Sequence, residues 1–385
     1  MTKLEKLIEE LCPNGVEYKT LGEVTDILRG KRLTKSQLNN DDKYPVYHGG
    51  LEPLGFYKIN NRNANTVMVI NVGASAGSVG YSSIDFWSSD GCYCVKHSNL
   101  FIDRYMYYAL LCVEDILKSK VRVAGIPTLD ASVVEQLKIP LPPLPIQREI
   151  VRILDNFTEL TAELTAELTA RKKQYEYYRD LIFSNKTEQW ATLGEISSLI
   201  TKGTTPKTFT RSGVNFVKLE SFDNGRITPE KFMFVSDEIH GKELKRSILM
   251  ANDILFAIAG ATIGKCAIVD ESILPANTNQ ALAIIRLSEN VDVRFVYYYM
   301  QTTVMTEYIA KYNKTSAQPN LNLQQMANFP LPLPPLHEQV RIAEILNRFE
   351  TLTTDIRKGL PAEIAARQKQ YEYYRDKLLT FTPAS

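Results

Sequence analysis

This chain is short of several things, and each shortage removes a class of function. No run approaches the roughly 18 apolar residues that a membrane span needs, and the opening stretch MTKLEKLIEELC is charged and amphipathic, with no apolar leader core. A cytoplasmic protein without a membrane partner is the expectation. The five cysteines (Cys12, Cys92, Cys94, Cys112 and Cys266) are odd in number and make no even framework, so reduced thiols are expected. Charge of one sign is missing too. Lys plus Arg at 45 against Asp plus Glu at 44 leaves +1, so no global field draws in a polyanion and any nucleic-acid surface must be local. Catalytic signatures are equally scarce. There is no G-x-x-x-x-G-K-[ST], no Gly-rich loop placed after a strand as a nucleotide or methyl-donor site needs, and no DPPY-like or NPPF-like tetrapeptide. The chain is expected to carry out no chemistry alone and to need neither cofactor nor metal.

What is present is repetition. RKKQYEYYRD at 171–180 returns as RQKQYEYYRD at 367–376, LPPLPIQREIVRIL at 141–154 as LPPLHEQVRIAEIL at 333–346, and TLGE at 20–23 as TLGE at 192–195. The offsets are 196, 192 and 172 residues, so the second half gains twenty residues between TLGE and LPPL and only four more afterwards. Variable modules on a matched pair of helical struts account for that drift. A helical hairpin inside one large core is the plain alternative, but alternating module, strut, module, strut is hard to fold that way.

The short apolar runs TVMVI (66–70) and CYCV (92–95) read as strands, mirrored by DILFAI (253–258) and QALAIIRL (280–287). FIDRYMYYALLCVEDIL and VDVRFVYYYMQTTVMTEYI have helical spacing, and their tyrosines are expected to be mostly buried. Each module closes on a proline-rich extended segment, IPLPPLP or FPLPLPPL, a stiff lead into the next helix. Ile146, Ile150, Ile153, Phe157, Leu160, Leu164, Leu168, Tyr175, Tyr178 and Ile182 then mark a coiled-coil seam. The four-residue repeat ELTAELTAELTA at 159–170 interrupts its heptads as a stutter. In the second strut the seam runs through Ile342, Ile345, Phe349, Leu352, Ile356, Ile364, Tyr371, Tyr374 and Leu378, with KGLP at 358–361 as the four-residue excess. Gly359 and Pro361 should break or kink this helix. A strut of about 38 residues spans roughly 57 Å.

The combination of LEKLIEELCPNGVEYKTLGEV, the PLPPL-to-QREIVRIL junctions, the TAEL repeat and the two QYEYYRD ends resembles the specificity subunits of type I restriction-modification systems over the whole chain. The resemblance implies an α/β (α+β) fold, with two target recognition domains joined by two long antiparallel coiled-coil helices. The expected division is 1–145 and 185–336 for the recognition domains, and 146–184 and 337–385 for the helices. It implies a non-catalytic subunit in which each half reads one part of a bipartite site on double-stranded DNA. The helices would set the unread gap and dock two methyltransferase subunits, with restriction and translocase subunits joining through the complex. S-adenosylmethionine and ATP with Mg would then belong to those partners. Helix geometry agrees independently: one four-residue unit adds about 6 Å and a net turn of about 40°, close to the roughly 35° of one base pair. The competing reading is a coiled-coil scaffold that binds protein without sequence-specific DNA contact. A fused methyltransferase-nuclease is disfavoured by the missing motifs and the short length.

DNA reading needs cations for phosphates and a few side chains that reach base edges. In the first module the candidates are Arg29, Lys31, Arg32, Lys35, Tyr47, His48, Tyr57, Lys58 and Arg62. In the second they are Lys202, Thr204, Thr205, Lys207, Arg211, Lys218, Arg226, Lys242, Lys245, Arg246 and Lys265, of which TKGTTPKTFT resembles the opening loop of such domains. For each, a solvated surface charge is the plain alternative. GASAGSVGY and GATIGKCAI resemble the glycine-bearing strand turn of the family, where tight backbone geometry explains the glycines better than phosphate cradling. The resemblance makes Tyr175, Tyr178, Arg179, Tyr371, Tyr374 and Arg375 candidates for partner docking, and packing between the struts explains the tyrosines equally well. Cys92, Cys94 and His97 lack the spacing of a structural zinc site, and His337-Glu338 lacks a second histidine, so neither is read as a metal centre.

Overall fold

The computed structural model describes residues 2–184, 189–223, 225–313, 320–354 and 359–384. They form two compact units, one of residues 1–164 with 364–385 and the other of 165–363. Each unit therefore combines a recognition module, the start of the helix that follows it, and the QYEYYRD end of the other helical region.

The two modules repeat one topology. In the first unit a four-stranded sheet runs in the order Ile27–Arg29, Cys92–Val95, Thr66–Ile70, Val79–Ser82, beside a three-stranded sheet of Gly55–Tyr57, Tyr44–Tyr47 and Trp87–Ser88. The second unit has Ser197–Lys202, Leu282–Leu287, Ile254–Ala257 and Cys266–Ile268, beside Met233–Val235, Val214–Val217 and Ala276–Thr278. In both small sheets the outer pairs are one antiparallel and one parallel. The extra length of the second module falls in the hairpin Phe222–Asp223 with Arg226–Ile227 and in the helical turns Ile239–Glu243 and Lys245–Ser247.

The central strands read as unbroken apolar runs because both of their faces are covered. Val67 and Val69 enter one core cluster while Met68 and Ile70 enter another. Ile254 and Phe256 divide from Leu255 and Ala257 in the same way. The expected tyrosine-rich helices are present, each in two pieces: Asp103–Cys112 then Glu114–Ser119, and Val293–Tyr299 then Thr303–Tyr312. Thr302 adopts an extended conformation at the second break and starts a new helix. Tyr105, Tyr108, Tyr297, Tyr298 and Tyr299 are all buried, as their spacing implied.

TLGE recurs because it is a capping box. Thr20 N donates to Glu23 Oε2 at 2.6 Å and Thr192 N to Glu195 Oε2 at 2.7 Å. The strand before each box pairs with the proline-rich segment, Tyr18–Thr20 with Lys138–Pro140 and Trp190–Thr192 with Pro330–Pro332. Prolines are tolerated there because each pair is only two strands wide.

The first long helix is unbroken over Leu144–Ser184, 41 residues, or ~61 Å at the usual rise. The second region is two helices, Leu336–Thr354 and Leu360–Leu379, with Gly359 at φ +78° just before the second. The expected break is therefore found; Ile356 and Lys358 lie outside the described residues. In the first unit Ile146, Ile150 and Leu154 pack with Leu379, while Phe157 stacks on Tyr374 at 5.5 Å. That order makes the two helices antiparallel. Leu154, which the seam omitted, is fully buried, because this face also covers Tyr105 and Tyr108. In the second unit Ile342, Ala343 and Leu346 share a core with Phe183 and Phe295. Phe349 and Leu352, further along this helix, are 41% and 58% exposed.

A buried glutamine locks each strut to its module. Gln147 Oε1 accepts from Ile102 N at 2.8 Å and its Nε2 donates to Leu100 O and Pro142 O at 3.1 and 2.8 Å. Gln339 Oε1 accepts from Asp292 N at 3.0 Å and its Nε2 donates to Pro334 O at 2.8 Å. Leucine at either position strands a buried N–H, at about 1–3 kcal/mol per orphaned group. Gln147→Leu, with more bonds to lose, is expected to lower the urea midpoint more than Gln339→Leu, both at unchanged slope.

The N-terminal helix Lys3–Leu11 is tied on by charge as well as by Leu4. Hydrogen bonds from Arg152 and then Lys3 hold the buried Glu149 carboxyl at about 2, below its ordinary 4.5. A depressed folded value means that this contribution is complete above pH ~4.5 and is lost as pH falls toward about 2. Glu149→Gln is expected to flatten the acid limb of stability in that window. A limb as steep as the parent's would contradict the assignment.

Candidate nucleic-acid interface

In each module, loops from both sheets meet at one place, and a glycine makes the meeting close. Gly30 follows the strand Ile27–Arg29, and a Cβ there would stand 1.9 Å from Ser89 O. Gly203 follows Ser197–Lys202, and its Cβ would stand 2.1 Å from Asn279 O. The chain beyond is then fixed by backbone bonds: Lys31 N to Ser88 O at 2.9 Å, and Thr204 N to Thr278 O at 2.9 Å. Asn61 grips the same Ser88 through both its amide N–H and its carbonyl oxygen, at 2.9 and 2.7 Å. Trp87 Nε1 donates to Lys31 O at 2.7 Å. Arg29, Lys31, Arg32 and Lys35 are left exposed on a rigid main chain.

The other candidates of the first module divide. His48 is half-exposed beside this cluster, its Nδ1 accepting from Gly91 N at 3.2 Å and lying 3.3 Å from Asp90 Oδ1. Lys58 is exposed. Tyr47, Tyr57 and Arg62 are half-buried: Tyr47 packs edge-on to Phe86, Tyr57 edge-on to Trp87, and the Arg62 guanidinium donates to the carbonyls of Asn61 and Arg29 at 2.8 and 2.9 Å. They support the loop that carries the free cations.

In the second module Lys202, Thr205 and Lys207 are exposed on one loop with the half-buried Thr204, and Thr205 Oγ1 donates to Gln280 Oε1. Lys207 N donates to Glu243 Oε1 at 3.3 Å, which brings the segment bearing Lys242, Lys245 and Arg246 alongside. Arg211 is exposed beyond the loop, and Lys218 lies over the Phe209 ring at 5.2 Å. His240, not anticipated from sequence, meets Asn277 Oδ1 at 2.6 Å behind it. Lys265 and the hairpin that carries Arg226 are elsewhere: Lys265 and Gly225 line a cleft of about 680 Å³ with Arg179, Cys266 and Met300.

The QYEYYRD ends make equivalent internal contacts. Arg179 lies over Tyr175 at 5.7 Å and pairs with Asp180, whose Oδ2 accepts from Thr303 N. Arg375 lies over Tyr371 at 6.0 Å and pairs with Asp376, to which Cys112 Sγ donates at 3.4 Å. Arg179 is buried, whereas Tyr177, Tyr178 and Tyr373 are exposed. Cys92 and Cys94 lie in the sheet core, and His97 is held by Asp103 Oδ2 at 2.8 Å. Among the described residues no three His, Cys, Asp or Glu side chains are disposed to hold a metal ion, and no helix is long and apolar enough to cross a membrane.

Sequence reasoning missed Asn61, Ser88, Asn279 and Gln280, which arrive from strands distant in the chain. A signal existed in the pairing of Gly30 with Gly203, 173 residues apart, almost the TLGE offset.

Two modules of one topology, each presenting fixed polar and basic loops and each seated on long helices, define a tandem recognition protein. The chain matches the type I restriction modification DNA specificity domain over residues 13–171 and again over 186–366, and it belongs to that family. A type I restriction enzyme specificity subunit of Escherichia coli is 35% identical over 271 residues, 64% of each chain. A putative one from Haemophilus influenzae is 30% identical over 400 residues, 99% of each. In fold the chain is similar to a solved S subunit of M. genitalium (TM-score 0.56, 18% identity, 95% and 96% covered). It is also similar to a chain from a study of type I restriction-modification complex assembly (TM-score 0.63, 18% identity, 96% and 98% covered).

Proposed function

We propose that this chain is the DNA-reading subunit of a type I restriction-modification complex, each module recognising one half of a bipartite site in duplex DNA. The observation that carries this reading is the duplicated loop cluster, where Gly30 and Gly203 bring equivalent loops into backbone contact and leave Arg29, Lys31 and Arg32, or Lys202, Thr205 and Lys207, exposed. Rigid main chain with projecting cations positions a protein on phosphates, and the polar side chains between them can read base edges.

The long helices set the unread gap and dock two methyltransferase subunits. The inward residues Tyr175, Arg179, Tyr371 and Arg375 hold the helix ends in place, and the outward Tyr177, Tyr178 and Tyr373 meet the partners. Restriction and translocase subunits join through the complex in the cytoplasm. S-adenosylmethionine and ATP with Mg are bound by those partners, and this chain supplies recognition alone.

The scaffold reading differs in its response to salt. For the complex of this chain with its methyltransferase subunit, log affinity for duplex DNA is expected to fall steeply with log salt, by about 0.9 per phosphate neutralised. Affinity that is flat in salt and indifferent to sequence would replace the DNA-reading account with the scaffold.

A further inference from the structure

Val123 and Ile126, exposed at 79% and 70%, stand at the tip of a closed loop in the first module. The loop is fixed at its base: Arg122 and Thr128 exchange backbone hydrogen bonds at 2.8 and 3.0 Å, and Arg122 pairs with Asp130 at 2.7 Å. It is built onto the glycine turn beside the candidate interface. Gly73 N donates to Pro127 O, Leu129 N to Asn71 O, and a Cβ on Gly77 would lie 2.9 Å from the Lys118 backbone. Val72 of that turn lies against Gly91, whose N–H His48 accepts. Gly125 at the apex has φ +85° and open space around it.

We infer that the loop tip formed by Val123 and Ile126 enters a groove of the duplex and makes apolar contact with bases of the first half-site, so that it is a specificity-determining element of that half. The inference rests on the DNA-reading function proposed above. Three features favour DNA as the occupant. Lys120 leads into the loop between Lys118 and Arg122, which pair with Glu114 and Asp130, and the tip itself carries no charge to repel phosphates. Two side chains on a five-residue tip fall far short of the roughly 800 Å² per partner of a stable protein interface, while the major groove, about 12 Å wide, admits elements larger than this tip. Valine and isoleucine are also stiff at χ1, so little freedom is lost when they are placed. The corresponding stretch of the second module, 314–319, has the sequence KTSAQP with no large apolar residue, and it lies outside the described residues. The apolar pair of this tip therefore has no sequence counterpart at the equivalent place in the second module.

The test uses full-length chain assembled with its methyltransferase subunit, as parent and as the double variant Val123→Ser, Ile126→Ser. Both substitutions are at exposed positions, and co-purification of the subunit is measured first. The expected result is an intact complex whose methylation rate on the parent site falls about tenfold or more, with the first half-site relaxed and the second half-site and gap unchanged. Uracil in place of thymine in the first half-site tests a methyl contact, and 2-aminopurine fluorescence tests opening of a base step; a response of the parent complex to either supports the inference. An unchanged motif and rate, silence in both probes, or loss of the methyltransferase subunit from the variant would overturn it. Absence of any split motif with the parent complex would instead count against the underlying function.

Discussion

Deleting residues 163–166, one ELTA unit of the first long helix, is expected to shorten the unread gap of the methylated site by one base pair and to leave both half-sites unchanged. The helix runs unbroken over Leu144–Ser184, so removing four residues neither opens a loop nor moves a cap. It shortens the rod by about 6 Å and turns its far end by about 40°, against about 3.4 Å and 35° for a base pair. The rotation matches and the length overshoots by about 2.6 Å. Leu160, Leu164 and Leu168 recur every four residues and are each half-buried, so one leucine replaces another in the same setting. Adding a unit is expected to lengthen the gap by one. Methylome sequencing of both length variants reads the result, and a gap that ignores helix length would refute the ruler.

Replacing either loop glycine by alanine is expected to silence one module and, with it, methylation. At Gly30 the new methyl would sit on the Ser89 carbonyl, and at Gly203 on those of Asn279 and Thr278, all backbone atoms that cannot swing away. The chain must separate there and give up the Lys31–Ser88 or Thr204–Thr278 bond. Overpacking and an orphaned buried donor together cost ~3 kcal/mol or more, enough for roughly a 100-fold fall in site affinity. Hydrogen exchange should show protection lost along Cys92–Val95 in Gly30→Ala and along Leu282–Leu287 in Gly203→Ala, with the other module unaffected. Full activity in both loop variants would remove these clusters from the function.

The repeat and the strands were legible in the sequence because they depend on local pattern. TVMVI and DILFAI are strands buried on both faces, QYEYYRD recurs at two helix ends that make the same contacts, and Gly359 precedes a helix start. Other features depend on partners far away in the chain. Leu154 falls outside the seam by spacing yet is fully buried, because that helix face also covers Tyr105 and Tyr108. Tyr47, Tyr57 and Arg62 are candidates by residue type and neighbourhood, whereas their contacts with Phe86, Trp87 and the carbonyls of Asn61 and Arg29 follow from strand order. Which cations share a loop cluster is a property of strand order. Spacing could not separate Lys207 from Lys265, although the fold sets the first beside Glu243 and the second in the cleft near Arg179.

The most direct measurement is the DNA methylome of a host that expresses this chain with its methyltransferase subunit, against a host expressing that subunit alone. Two readers on a helical ruler predict a new split motif with one fixed gap, present only when this chain is supplied. No new methylation, with the two subunits shown to co-purify, would contradict that account.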